Sequence, residues 1–214
     1  QTLHHCVIES EDPARLVDFY CDALQMLPTE LEDGSTLVRS AGRAFIITRG
    51  KTESVPAIAF NVGGHNRLGV LREAVERNGV ETRTTSSPLL DGDAFSVADP
   101  EGVSVTFGCV GPDTDKESEP EGYLSGRFQH IVYASPDPDG VSGFYQTKLG
   151  FVHSDTVLRD EDQANTAIFI RSDHEHHSLA CFRAPEFRFD HIALETTGWM
   201  DIRDWADHFA AREI

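Results

Sequence analysis

The sequence of 214 residues is poor in basic side chains, with 18 Lys and Arg against 36 Asp and Glu and a formal net charge of −18. Nucleic acids and anionic membrane surfaces are bound through clustered positive charge, so we predict that neither is a partner. No apolar run approaches the ~20 residues that a transmembrane helix needs. The first residues lack the charged and apolar regions of a secretory signal, and we therefore predict a cytoplasmic protein.

Cysteine is also scarce, and the four residues Cys6, Cys21, Cys109 and Cys181 form no C-x-x-C pair. Such wide spacing favours reduced, free thiols over a disulfide framework or a zinc site. The sequence also lacks the nucleophile-elbow and phosphate-loop motifs. These absences remove several common catalytic classes from consideration.

What the sequence does contain is an internal repeat built around two histidines. A segment of the first half returns with a constant offset of 125 positions, and it covers one strand-like and one helix-like stretch. A shared register of this kind is typical of duplicated structural modules. In chain order His5, Ser10, Asp12, Pro13, Phe19, Tyr20 and Leu24 recur as His130, Ser135, Asp137, Pro138, Phe144, Tyr145 and Leu149.

The residue pattern of each copy predicts a strand, a helix and then further strands. Residues 3–9 alternate like a strand, and Asp12-Pro13 then supply a capping carboxylate and a proline suited to the first helical turn. The βαβββ pattern occurs twice in the first half and begins again at positions 130 and 191. We therefore predict an α+β fold of paired βαβββ modules, in which the fourth module has only its first strand and helix.

Residues 111–123 divide the two halves. They are polar, acidic and rich in Pro and Gly, with almost nothing to bury, which is typical of a linker. We predict an N-terminal domain over residues 1–110 and a C-terminal domain over residues 124–214.

Two histidines of the second half are candidate metal ligands. His130 and His191 each stand near the start of the first strand of a module, so related modules would bring them together on one sheet. Neutral imidazoles suit divalent iron or manganese. A lone histidine on a strand is more often a hydrogen-bonded core residue, and we interpret His5 in that way because the counterpart of His191 in the first half is Ala57. Only the second half should therefore bind a metal.

These features resemble those of a known family, the type I extradiol ring-cleavage dioxygenases of catechols in the vicinal oxygen chelate superfamily. These enzymes have two domains of paired βαβββ modules, and only the C-terminal domain is active. The helix motif is common to the whole superfamily, whereas the His-His-Ser-Leu-Ala stretch that precedes His191 is much more specific to the dioxygenases. The residues that carry the resemblance are His130-Ile131-Val132, Phe144-Tyr145, Leu149-Gly150-Phe151, His176-His177-Ser178-Leu179-Ala180 and His191-Ile192-Ala193-Leu194-Glu195.

The resemblance implies a specific site. His130 and His191 match two ligands of Fe(II), or alternatively Mn(II), and O2 and a small aromatic diol would be the substrates. The third ligand is a glutamate, which the position of Thr106 in the first half places beyond Ile214. His177 matches a catalytic acid–base histidine, with His176 as the alternative assignment. The resemblance also implies a homo-oligomer.

Other functions remain open at this stage. Metal-free drug-binding proteins of the bleomycin-resistance type belong to the same superfamily, and the acidic charge would suit a cationic ligand. A glyoxalase-like isomerase or lyase would also use His and Glu, although its ligands come from both halves of a site. A purely structural role is the third alternative.

Overall fold

The computed structural model describes residues 1–111 and 123–214 and confirms an α+β fold of βαβββ modules. The first three modules are complete, and the fourth contains one strand and one helix. The first half consists of β1 (Thr2–Ser10), α1 (Pro13–Leu24), β2 (Leu27–Glu30), β3 (Thr36–Ser40), β4 (Arg43–Arg49), β5 (Ser54–Asn61), α2 (His65–Arg77), β6 (Arg83–Thr84), β7 (Phe95–Ala98) and β8 (Ser104–Gly108). The second half consists of β9 (Arg127–Ser135), α3 (Pro138–Leu149), β10 (Val152–Leu158), β11 (Asn165–Arg171), β12 (Leu179–Arg183), β13 (Arg188–Glu195) and α4 (Trp199–Ala210).

The strands form two sheets. An eight-stranded sheet has the order β2-β3-β4-β1-β5-β8-β7-β6, and a five-stranded sheet has the order β10-β11-β12-β9-β13. The strand that follows each of the first three helices lies at a sheet edge. These edge strands, β2, β6 and β10, are short or largely exposed. Their sequences show no clear alternation of apolar and polar residues, so no bounds were predicted for them.

The repeated sequence produces repeated helix starts. The Asp12 side chain accepts a hydrogen bond from the Arg15 amide at 3.2 Å, and Asp137 accepts one from the Gly140 amide at 3.0 Å. In both helices a proline follows the capping residue and occupies the first turn, where its missing N–H costs nothing. The repeat is therefore a repeat of local structure.

One large hydrophobic core runs through both halves, and a smaller cluster that includes Leu37 and Ile46 lies in the first half. The Phe45 and Phe128 rings meet edge to face at 5.5 Å, and those of Phe60 and Phe151 do so at 5.3 Å. A polar contact lies in the same interior, where the Tyr145 hydroxyl donates to the buried Asp99 carboxylate at 3.0 Å. The two halves are thus joined by continuous packing, whose apolar contacts contribute most of the stability.

The sequence also led to predictions about the linker, the cysteines and membrane-spanning helices. Most of the predicted linker, residues 112–122, lies outside the described residues, and the domain limits 1–110 and 124–214 stay predictions. All four cysteines are free, as predicted. Over the described ranges no helix is long and apolar enough to cross a membrane.

A buried arginine joins the two halves. Arg43 is only 2% exposed, and its guanidinium donates to the backbone carbonyls of Leu124 at 3.1 Å and Gly126 at 2.9 Å. It also donates to the Leu24 carbonyl at 2.6 Å. The Nε atom of Arg43 has no hydrogen-bond partner among the described residues. Since burying a charge is costly, the three carbonyl contacts of the terminal nitrogens are what offset its burial.

Two aromatic rings complete the surroundings of Arg43. The guanidinium carbon lies 4.9 Å from the centre of the Tyr123 ring and 5.2 Å from that of Trp205. The Trp205 indole N–H donates to the Ser125 carbonyl at 2.8 Å. Helix α4 therefore buries Trp205 against the first half and the segment that precedes β9, rather than against a sheet of its own module.

We predict that Arg43→Met lowers the free energy of unfolding by about 2–3 kcal/mol, because one buried and two partly buried carbonyls lose their donor. Chemical denaturation followed by tryptophan fluorescence would measure the change. Arg203→Met, which removes an exposed surface pair with Asp204, is the control and should change stability by less than about 0.5 kcal/mol. Equal effects of the two substitutions would contradict the role assigned to Arg43.

Candidate functional site

The structure brings the three predicted histidines together on one face of the five-stranded sheet. The Nε2 atoms of His130 and His191 lie 3.4 Å apart, and the ring centre of His177 is 4.2 Å from that of His130. His176, the alternative to His177, is exposed; its Nε2 atom lies 3.9 Å from an Asp155 carboxylate oxygen, and its Nδ1 atom contacts that of His177 at 2.9 Å. We call His130, His177 and His191 the histidine cluster.

The strand register explains how the cluster forms. On β9 and β13, Val132 lies opposite His191 and His130 lies opposite Ala193. Residues directly opposite each other share a face of the sheet, so both imidazoles project from the same side. Two aromatic side chains flank them, with Phe169 5.0 Å from His177 and Phe182 6.4 Å from His191 between ring centres.

Each metal-ligand candidate directly follows a bulged residue. The pairing of β9 with β13 skips Asp190 between Phe189 and His191, and it skips Gln129 between Phe128 and His130. In a regular strand, consecutive side chains point to opposite faces, whereas a bulge redirects the extra residue. The bulges therefore allow Gln129 and Asp190 to reach the rings of the histidines that follow them.

The bulged residues hold the Nδ1 atoms of both rings. The His191 Nδ1 atom lies 2.9 Å from Asp190 Oδ2, and a carboxylate only accepts, so His191 carries its proton on Nδ1. Gln129 donates from Nε2 to the His177 carbonyl at 2.9 Å, which turns its Oε1 toward the Nδ1 atom of His130. His130 therefore also carries its proton on Nδ1.

This arrangement leaves two nitrogen lone pairs facing each other. With both protons on Nδ1, the Nε2 atoms of His130 and His191 are acceptors at 3.4 Å, and no hydrogen bond joins them. Two imidazole nitrogens bound to one metal ion at about 2.1 Å each lie roughly 3.0–3.5 Å apart. The pair therefore fits a divalent metal ion in both spacing and donor type, and a cation would relieve the repulsion between the lone pairs.

The surroundings of His130 and His177 favour their neutral forms. Burial, reinforced by His177 and His191, lowers the pKa of His130 to about 4. Burial, together with His176 and His191, also lowers the pKa of His177 below its usual value. Since a protonated imidazole cannot coordinate a metal, neutral rings at pH 7 favour metal binding.

Arg127 ties together the segments that carry the cluster. Its guanidinium contacts Glu195 at 2.5 Å, at the end of β13, and it also pairs with Glu175 in the loop that precedes His177. Arg127 itself lies on β9, as does His130. One side chain thus links all three histidine-bearing segments.

Sequence reasoning missed Gln129, Asp190 and Arg127. Strand alternation places Gln129 and Asp190 on the face opposite the histidines, and only the bulges reverse that expectation. A carboxylate or amide next to each candidate histidine was the available signal. In residues 1–111 and 123–214, no third His, Cys, Asp or Glu completes a metal-binding group, so the glutamate expected beyond Ile214 stays a prediction.

The first half presents the same positions without the ligands. Val7 pairs with Ala57 in the register that Val132 and His191 adopt, and Ala59 of the same strand lies beside Thr106 on β8. His5 is buried, and its Nε2 atom lies 2.9 Å from Ser87 Oγ. Burial, and secondarily His4, lowers the pKa of His5 to about 3, so it is a neutral interior residue.

We predict that His130 and His191 are both protonated on Nδ1 in the metal-free protein near neutral pH. Nitrogen-15 NMR of histidine-labelled protein should give two Nε2 resonances typical of an unprotonated ring nitrogen. Asp190→Ala removes the acceptor and should shift His191 toward the Nε2-protonated form, while exposed Glu186→Gln should leave it unchanged. An Nε2-protonated His191 in the unsubstituted protein would contradict the assignment.

Comparisons with known structures agree with this architecture. The 2,3-dioxygenase LapB from Pseudomonas sp. KL28 superposes with a TM-score of 0.83 at 17% identity, covering 99% of this chain and 80% of LapB. Homoprotocatechuate 2,3-dioxygenase from Arthrobacter globiformis gives 0.76 at 22% identity, covering 100% of this chain and 69% of that enzyme. BphC, a halotolerant catechol dioxygenase, gives 0.76 at 20% identity, covering 99% and 75%.

At these identities, the superpositions establish a shared fold. No curated protein sequence matches the chain. A family match, however, covers residues 2–107 and 127–214, which is most of the sequence. The protein therefore belongs to the Glyoxalase/Bleomycin resistance protein/Dioxygenase superfamily.

Proposed function

We propose that the protein is an extradiol ring-cleavage dioxygenase that opens a catechol-type aromatic diol with O2. The observation that carries the proposal is the pair of Nε2 lone pairs of His130 and His191, held 3.4 Å apart with both Nδ1 atoms engaged. A 2-His-1-carboxylate site for Fe(II) or Mn(II) needs two such nitrogens. The glutamate predicted beyond Ile214 would be its carboxylate.

In this proposal, His130 and His191 hold the metal ion, and Gln129 and Asp190 fix the orientation of their rings. A bound Fe(II) or Mn(II) would supply electron transfer and bring a diol and O2 into contact. Phe169 and Phe182 form apolar walls beside the histidines, where an aromatic ring can stack. The aromatic walls therefore favour a flat, apolar ring as the body of the substrate.

His177 is proposed to move protons. Its Nδ1 atom lies 2.9 Å from that of His176, which leaves Nε2 as the atom available to a diol hydroxyl. The lowered pKa of His177 keeps the ring neutral at pH 7 and ready to accept a proton. The neutral ring can take the hydroxyl proton as the diol binds and return it as the ring opens.

The substrate class rests on chemistry and on the structural neighbours. One of them, homoprotocatechuate 2,3-dioxygenase from Brevibacterium fuscum, is described in an anaerobic complex with 3,4-dihydroxyphenylacetate. For the present protein we propose a small aromatic diol as substrate. The predicted homo-oligomer and cytoplasmic location stay predictions.

The alternative functions fit the site less well. A glyoxalase-like isomerase draws ligands from both halves of a site, and Ala57 and Thr106 provide none in the first half. A metal-free drug-binding protein gives no reason for two opposed Nε2 lone pairs on bulge-held rings. The metal-dependent dioxygenase accounts for both features.

We expect His191→Ala to weaken Fe(II) and Mn(II) binding at least about a hundredfold, since removing a ligand costs more than removing a residue that orients one. Anaerobic titration followed by elemental analysis would measure this loss. His174→Ala changes a neighbouring but exposed histidine and should retain the metal. Metal binding that survives His191→Ala, or no binding by the unsubstituted protein, would overturn the proposed site.

We expect His177→Asn to lower kcat for catechol cleavage by about 10²–10⁴-fold while metal content is unchanged. Formation of the yellow ring-opened product gives the rate, and its pH profile should lose a limb that depends on His177. His176→Asn is the matched control and should retain most of the activity. The reverse result would move the acid–base role to His176.

A further inference from the structure

A second cavity lies on the corresponding face of the first half. It has a volume of about 270 Å³, and its lining includes His5 and Ala57, which match His130 and His191 of the second half. Its size is close to the lower end of the range for ligand pockets, about 300–1,000 Å³, which suits a single ring rather than a fused system. Residues Val7, Ile46 and Ala57 form apolar parts of its wall, and Thr48, Ser104 and Thr106 contribute hydroxyls.

The wall of this cavity is nearly free of charge. Among the described residues that line it, Asp33 is the only Asp, Glu, Lys or Arg. Its carboxylate is occupied locally, accepting from the Ser35 hydroxyl at 2.6 Å and the Ser35 amide at 2.9 Å. An anion would therefore meet no balancing cation there, and desolvating it would be costly.

Polar groups line one side of the cavity. The buried His5 ring contacts Ser87 Oγ at 2.9 Å, and the Leu89 amide donates to the same oxygen at 3.3 Å. Thr106 lies beside Ala59 on the neighbouring strand and adds a hydroxyl to the wall. Hydroxyl groups act as both donors and acceptors, so together they match a hydroxyl on the ligand.

We propose that this cavity is a separate binding site for a small neutral phenol, with the ring against Val7, Ile46 and Ala57 and the hydroxyl toward the Ser and Thr side chains. The site needs no metal, and it is independent of the function proposed for the second half. Ala57 has a small side chain at the position that His191 occupies in the second half, which leaves space in this cavity. The first half would then be a ligand-binding domain of the same chain.

Fluorine NMR titration of the metal-free chain with 4-fluorophenol tests this proposal. A small single-ring ligand should bind with a Kd of roughly 1–10 mM. Ala57→Leu should weaken binding about tenfold or more, because the larger side chain occupies the cavity. Ala193→Leu places the same change on the histidine-bearing face of the second half, opposite His130, and should leave the Kd unchanged.

A second variant and a second probe keep the test decisive. Thr106→Val removes one hydroxyl at nearly constant shape and should weaken binding about three- to tenfold. The anion 4-fluorobenzoate should bind at least about tenfold more weakly than the phenol. The proposal is overturned if 4-fluorophenol does not bind, if Ala193→Leu rather than Ala57→Leu or Thr106→Val weakens it, or if the benzoate binds equally well.

Discussion

The site depends on two β-bulges that place an acceptor behind each imidazole. Without them, Gln129 and Asp190 would lie on the opposite face of the sheet, and the rings of His130 and His191 would be free to rotate or exchange tautomers. With them, each Nδ1 atom is engaged and each Nε2 lone pair is fixed toward the other. The resulting repulsion is a cost carried by the metal-free protein, and a bound cation converts it into coordination. Stability given up in this way at a site is typical of function.

The same scaffold carries different chemistry in its two halves. The pairing of β1 with β5 reproduces that of β9 with β13, including the position of the first histidine, yet the second ligand position is Ala57 in one half and His191 in the other. The bulge before the histidine is also repeated, since His4 contacts the His5 Nδ1 atom at 2.8 Å as Gln129 contacts that of His130. His5 then turns its Nε2 atom to Ser87 instead of to a second imidazole. The backbone geometry therefore does not decide which half presents two opposed imidazoles; the side chain opposite Val7 or Val132 does.

Much of the architecture could be predicted from the sequence because it depends on local signals. The repeat located α1 and α3 through Asp12 and Asp137, and the alternating strands at the sheet centres followed from their buried residues. The edge strands β2, β6 and β10 escaped prediction since their side chains are mostly exposed and carry little pattern. The histidines were found by their repeat register, whereas Gln129, Asp190 and Arg127 were not. Bulges and long-range ion pairs depend on how two strands meet, which no local pattern encodes.

Two of the few basic residues of this acidic chain make contacts that hold parts of the fold together. Of 18 Lys and Arg, Arg43 is buried between the two halves, and Arg127 links the three segments that carry the histidine cluster. Both therefore act within the fold, and the surface is left with a large excess of negative charge. Such a field raises the local concentration of divalent cations and lowers that of anions. It favours capture of a metal ion by the Nε2 atoms of His130 and His191, and it favours neutral diols and phenols over carboxylates as the ligands proposed for the two halves.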